Sequence, residues 1–252
     1  MEAQLTNCAA QGASFFINLR TPAALLAAGA IKDAFVLQGT DVGEYNSKPW
    51  RAVTRVYVFL MVMSFALELS AVFKCTAAGT RLLAGSFNPM AESAVGMLVR
   101  EFEWEYVSVR AQFFSGMLAY VVATALRVYR ELHKSTFLAK ATLFFFMFAT
   151  LEMLSFFNSH LVFYSGFWNL LCRYFVLAFQ RAVPWIYDPT AAFRLGPVLA
   201  ILCLAISCGY FICAALDIDG DGSLSKRDLA TVWQQIRGGQ QAEDRPIAGP
   251  VQ

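Results

Sequence analysis

The sequence is short of charge and almost without histidine. Lys, Arg, Asp and Glu make up 15 % of its 252 residues, against roughly 25 % in soluble chains. The formal charge of +2 is close to neutral, and no long block of Lys and Arg is present to coat a nucleic acid. No nucleic-acid partner is therefore expected. His133 and His160 are the only histidines. A buried bis-histidine haem would need both, and one of them sits in a basic connection. The six cysteines (Cys8, Cys75, Cys172, Cys203, Cys208 and Cys213) contain no CxxC. Three share one apolar stretch, so they read as small buried side chains rather than a disulfide or zinc framework. There is no P-loop, no GxGxxG after a strand, no HExxH and no GxSxG. No helix carries arginine at every third position, as a voltage sensor would. N-x-Ser/Thr is also missing. Met1 to Asn18 lacks a basic segment followed by an apolar core, so insertion is expected to rely on an internal span rather than a cleavable signal. These absences leave an enzyme reading without a foothold.

Apolar residues, in contrast, abound. They make up 58 % of the chain, with 23 phenylalanines, where soluble proteins run near about 45–50 % apolar. Several long apolar runs predict an integral membrane protein of the all-α class, a multi-pass bundle of roughly four to six spans. Residues 1–50 read as an N-terminal tail and interfacial helix, and 51–216 as the transmembrane bundle. Residues 217–237 read as a calcium loop with its exiting helix, and 238–252 as a polar disordered tail.

Taken in order, residues 1–19 read as a tail and Arg20 to Gln38 as an Ala/Leu-rich helix. Lys32 and Asp33 make a surface-lying or partner-packed helix the expectation there. Val56 to Phe73 is the first clear span and holds Glu68. A carboxyl in the hydrocarbon zone is costly, so it should face protein or water. Arg81 to Pro89 breaks the helix. Ala91 to Tyr106 reads as an amphipathic lead-in, with Glu103 and Arg110 on one face. Ala111 to Val128 is the second span, striped by Ser115, Ala119 and Ala123 at the spacing that lets helices approach closely. The basic connection from Arg127 to Lys140 marks the cytosolic side by the positive-inside rule.

Lys140 to Trp185 admits two readings. It is either one span to about Phe163 followed by an interfacial helix, or two short spans turning at Asn158-Ser-His160. Asn169, Arg173 and Gln180 fall on one face of its second half. Glu152 is a further carboxyl within the apolar zone and a possible partner for Arg173. A three-proline connection, Pro184 to Pro197, leads to the last apolar run, Leu195 to Leu216, striped by Ala205, Gly209 and Cys213.

That run passes without a linker into Asp217-Ile-Asp-Gly-Asp-Gly-Ser-Leu-Ser-Lys-Arg-Asp228. Asp217, Asp219 and Asp221 fall at positions 1, 3 and 5 and place hard carboxylate oxygens on one cation. Gly222 stands at position 6, where the chain turns sharply. Ser223 offers its backbone carbonyl, Ser225 ligates through water, and Asp228 closes the loop at position 12. The stretch resembles the EF-hand family over about thirty residues, counting the short helix Leu229 to Ile236 with Trp233 on it. The resemblance implies a Ca²⁺ site. Aspartate in place of the usual closing glutamate is one methylene shorter, which implies weaker calcium binding or more tolerance of Mg²⁺. A lone EF-hand leaves Leu224 and its strand unpaired, which predicts self-association or another membrane subunit as partner.

A second stretch, Arg20-Thr-Pro-Ala-Ala-Leu-Leu-Ala-Ala-Gly29 ending at Val36-Leu-Gln38, resembles the pore-lining first helix of the Orai calcium channels. Glu103 to Tyr120 is loosely similar to that family's third helix. Val36 stands about where the family carries its selectivity glutamate, with Asp33 three residues earlier. Two functions compete. The chain is either a calcium-regulated channel or transporter with Glu68, Glu152 or Asp33 lining a path, or a non-catalytic accessory subunit whose cation stiffens the loop. Lys140 to Trp185 is expected to cross once, which places the calcium loop in the cytosol with the basic connection; two crossings would place it opposite.

Overall fold

The computed structural model describes residues 5–36, 48–85, 87–132, 135–161, 163–187 and 196–216. The chain divides into two compact units, Met1–Val198 and Leu199–Gln252.

Among the described residues the architecture is all-α, with one short β ribbon. The order is β1 (Thr6–Asn7), α1 (Ala9–Ala34), α2 (Lys48–Ala84), β2 (Met90–Ala91), α3 (Ala94–Glu101), α4 (Glu103–Glu131), α5 (Thr136–Ser159), α6 (Phe167–Tyr187) and α7 (Gly196–Leu216). Five of these helices are long and apolar enough to cross a membrane: α1, Trp50–Ala84 within α2, α4, Phe137–Ser159 within α5, and Gly196–Cys213 within α7.

Local chemistry sets several of the boundaries. The expected break after Arg81 falls at Gly85, whose φ of 69° is left-handed. Glycine takes that conformation at a helix C-terminus without a Cβ penalty. Ser93 caps α3, its hydroxyl accepting the Gly96 N–H at 3.1 Å. The anticipated single lead-in, Ala91 to Tyr106, is split at Phe102, so that α3 stands apart from α4. Glu103 and Glu105 then occupy the first turn of α4, where the helix dipole favours acidic groups.

α1 differs most from its sequence reading. It begins at Ala9 rather than near Arg20, and Pro22 lies inside it. An interior proline costs about 3 kcal/mol of helix propensity, so contacts elsewhere must hold the first turns. Thr6 and Asn7 pair antiparallel with Ala91 and Met90, and the Cys8 N–H reaches the Pro89 carbonyl at 3.0 Å. Gly12 lies directly against Met97 and Leu98 of α3. Of the two expectations for this helix, surface-lying or partner-packed, the packed one holds. Gly12, Phe16, Ala23, Ala27, Ala30 and Ala34 form a buried face, and α2 and α1 share one of the largest contacts in the chain.

α2 lies against both α1 and α4, and those two interfaces dominate the first unit. Near the α1 C-terminus, Ala30, Ala34, Tyr57, Met61 and Ala123 form one buried cluster. Small residues let the backbones approach, which is how apolar helices gain association energy where burial from water contributes little. α5 and α6 both pack on α4. Phe114 stacks on Phe157 of α5 at 3.9 Å and meets Phe167 of α6 at 5.0 Å. The Lys140–Trp185 stretch is thus two helices broken at residues 160–166, and of the two only α5 is apolar enough to cross. α6 also runs three residues past Pro184. In the second unit, α7 keeps Leu202, Leu204, Ile206 and Tyr210 exposed.

Candidate functional site

The six residues of the calcium loop (Asp217, Asp219, Asp221, Ser223, Ser225 and Asp228) lie outside the described residues, as do Trp233 and the polar tail. The loop's neighbour is described: α7 stays helical through Leu216, the residue before Asp217. Among the described residues, no group of three His, Cys, Asp or Glu side chains is placed to hold a metal ion. All six cysteines are free thiols, with Cys8 and Cys75 buried.

Two polar constellations stand out in the first unit. The first is Glu68, on α2 where that helix meets α4. Its side chain is 0 % exposed, and neither carboxylate oxygen has a hydrogen-bond partner. Ser64, one turn earlier on the same face, is equally enclosed, and its hydroxyl is unpartnered too. Gly116 of α4 seals the far side. A Cβ added there would stand 2.6 Å from Glu68 Oε1, so only glycine permits this approach of the two helices. The Ser115/Ala119/Ala123 stripe marked the correct stretch of α4. Ala119 and Ala123 are buried, but Gly116 makes the closest approach, and that spacing argument passed over it.

The second constellation gathers around the first turn of α4. Arg173 of α6 donates from Nε to Glu103 Oε1 at 2.8 Å and from Nη2 to Oε2 at 2.9 Å. This two-point geometry suits a planar guanidinium against a carboxylate. The Tyr164 hydroxyl donates to Glu103 Oε1 at 3.2 Å. Burial, and next the Glu103 charge beside it, push the Tyr164 phenol up to about 12. Glu105 takes Arg81 at 2.6 Å and has Arg181 at 3.7 Å. Trp104 stacks on Tyr174 with centroids 5.5 Å apart. Lys74 lies over both rings, and Arg181 over Trp104.

Two pairings that the sequence allowed are not made. Glu103 does not reach Arg110, whose guanidinium rests on Phe15 and Tyr106 at 5.3 and 4.8 Å. Nor does Arg173 meet Glu152, which is exposed on α5. Charges on different helices found each other through the fold, which spacing along one helix does not encode. Asp33, the third path candidate, stands 3.7 Å from Arg127. Its backbone carbonyl accepts the Tyr57 hydroxyl. Asp33 is therefore level with Tyr57, about 16 Å along α2 from Glu68 at 1.5 Å per residue.

Compared with known proteins, the chain matches no family model, no curated protein and no solved structure.

Proposed function

We propose that the chain is a multi-pass membrane protein that binds one calcium ion in the loop Asp217 to Asp228 and passes occupancy of that loop to its last span. The observation that carries this reading is the continuity of α7. An EF-hand needs a helix running straight into its first ligand, and α7 is helical to Leu216, with no linker before Asp217. Calcium drawn onto the four carboxylates Asp217, Asp219, Asp221 and Asp228 would fix the loop against an anchored helix, the arrangement through which sensor EF-hands reorient their exiting helix. Mg²⁺ is the expected competitor, because Asp228 closes the loop.

The α-helical bundle supports a membrane setting. α2, at 37 residues, is about 55 Å long and exceeds a hydrocarbon core of about 30 Å. Arg51 at one end and Arg81 at the other, about 45 Å apart, then project beyond the apolar zone, with Arg55 and Lys74 at its edges. The knot around Glu103 and Glu105 lies on the side of Lys74 and Arg81, and α6 caps it there. The basic connection Arg127 to Lys140 lies on the opposite side, which the positive-inside rule assigns to the cytosol. With α5 crossing once and α7 crossing once, the calcium loop is cytosolic.

Between the two competing functions, the packing of Glu68 favours the accessory subunit. Glu68 is enclosed, Glu152 is exposed on α5 and Asp33 is paired near Arg127. Among the described residues these three carboxyls are not brought together. Calcium, then magnesium, titrated into the purified protein with tryptophan fluorescence as readout tests the reading. A saturable calcium response that Asp217→Ala abolishes supports it, and no response to either ion removes it.

A further inference from the structure

An ionised carboxylate enclosed by protein needs hydrogen-bond donors or a counter-charge, and Glu68, 0 % exposed, has no protein hydrogen-bond partner on either oxygen. Ser64 contributes a second enclosed and unpartnered oxygen on the same face, and Gly116 holds α4 against the carboxyl. No charged partner is supplied by the elements packed on α2. On α1, Arg20 lies in the pocket that Cys75 and Thr76 line, while Lys32 and Asp33 are at the far end with Tyr57 and Arg127. On α4, Arg110 is held on Phe15 and Tyr106, Glu105 is taken by Arg81, and Tyr120 packs at Gly29. On α2 itself, Lys74 lies over Trp104 and Tyr174. None of these groups is hydrogen-bonded to Glu68. A neutral acid is the one form of this side chain that the enclosure tolerates without a further ligand.

We propose that Glu68 is a proton-binding site that latches α2 to α4. The carboxyl is held as the acid while the helices touch at Gly116. Releasing the proton breaks the acid O–H bond and leaves the electron pair on the carboxylate. The proton passes to water admitted between the helices, so deprotonation and separation of α2 from α4 occur together. The ligand is a proton, and the loop at Asp217 takes no part.

The test is infrared difference spectroscopy of the full chain in lipid vesicles as pH is raised, with amide hydrogen exchange followed in parallel. At neutral pH the wild type is expected to show the carbonyl stretch of a protonated glutamic acid, and Glu68→Gln to lose it. Raising the pH is expected to remove the band and, in the wild type alone, to speed exchange around Ser64 to Leu69 and Gly116. Should the variant fold poorly, ¹³C labelling of the glutamate carboxyls in the wild type must shift the same band, and Ser64→Ala must retain it. Asp217→Ala must leave both readouts unchanged, which separates this site from the calcium reading. A wild type with no protonated glutamic acid at neutral pH overturns the proposal. A band that sodium or calcium ions replace, or exchange rates that follow pH equally in Glu68→Gln, overturns it as well.

Discussion

Replacing Gly116 by alanine probes one of the two closest glycine contacts among the described residues. The new Cβ would stand 2.6 Å from Glu68 Oε1 and 3.0 Å from both Cδ and Cγ. Comfortable contact begins near ~3.5 Å, so the carboxyl or a helix must retreat by almost ~1 Å. Glu68 is wholly enclosed, so the side chain has little room in which to do this. Overpacking of this kind costs about 1–3 kcal/mol, and the helix preference for alanine over glycine returns up to about 1 kcal/mol. Gly116→Ala should therefore destabilise the protein by about 1–2 kcal/mol. Combining it with Glu68→Ala empties the space that the methyl invades, so the double variant should be less unstable than the sum of the singles by at least about 1 kcal/mol. Unfolding in detergent, followed by circular dichroism for the four proteins, reads both numbers. Gly12→Ala is the internal comparison. Its Cβ would meet the Met97 Cε at 2.6 Å, and Met97 is as enclosed as Glu68, so a cost of similar size is expected. A Gly116→Ala protein as stable as wild type, or a double variant that is strictly additive, would refute the reasoning.

The knot on α4 gives two further expectations. Glu103→Gln and Arg173→Gln should each destabilise by about 1 kcal/mol, with the double variant little worse than either single, because both remove one partly exposed two-point pair. Equal and additive losses in the same unfolding assay would contradict a direct pair. Tyr164 should resist alkali. Its phenol is raised from 10.0 to about 12 by burial and by Glu103, so the unfolded chain ionises first. Stability is then present below pH 10 and is lost as pH climbs toward 12. Phenolate absorbance should report a late-titrating tyrosine that moves to lower pH in Glu103→Gln.

Apolar periodicity and length carried most of the fold. The first and second spans lie within helices and α7 covers the last run from Gly196 to Leu216, because a membrane helix is dictated by its own composition. The misreadings share a cause in tertiary contacts. α1 reaches back to Ala9 because a two-residue strand and α3 hold its first turns, neither of which periodicity can see. Glu68 was legible as a carboxyl that must avoid lipid, since that follows from its surroundings in sequence. Its closure by Gly116 was not, because the partner is forty-eight residues away on another helix. Glu103 and Arg173 illustrate the same limit. Helical spacing offered Arg110 and Glu152 as partners, and the break at 160–166 turned α6 so that Arg173 met α4 instead.

Calcium binding by the membrane-embedded chain is the most direct test of the functional account. The protein would be reconstituted into lipid vesicles, washed at alkaline pH to remove anything merely adsorbed, and equilibrated with calcium. The account predicts that the chain stays with the vesicles and binds about one calcium per molecule, and that Asp217→Ala stays equally but binds none. A chain that washes off, or calcium uptake that is absent or unchanged in Asp217→Ala, would contradict it.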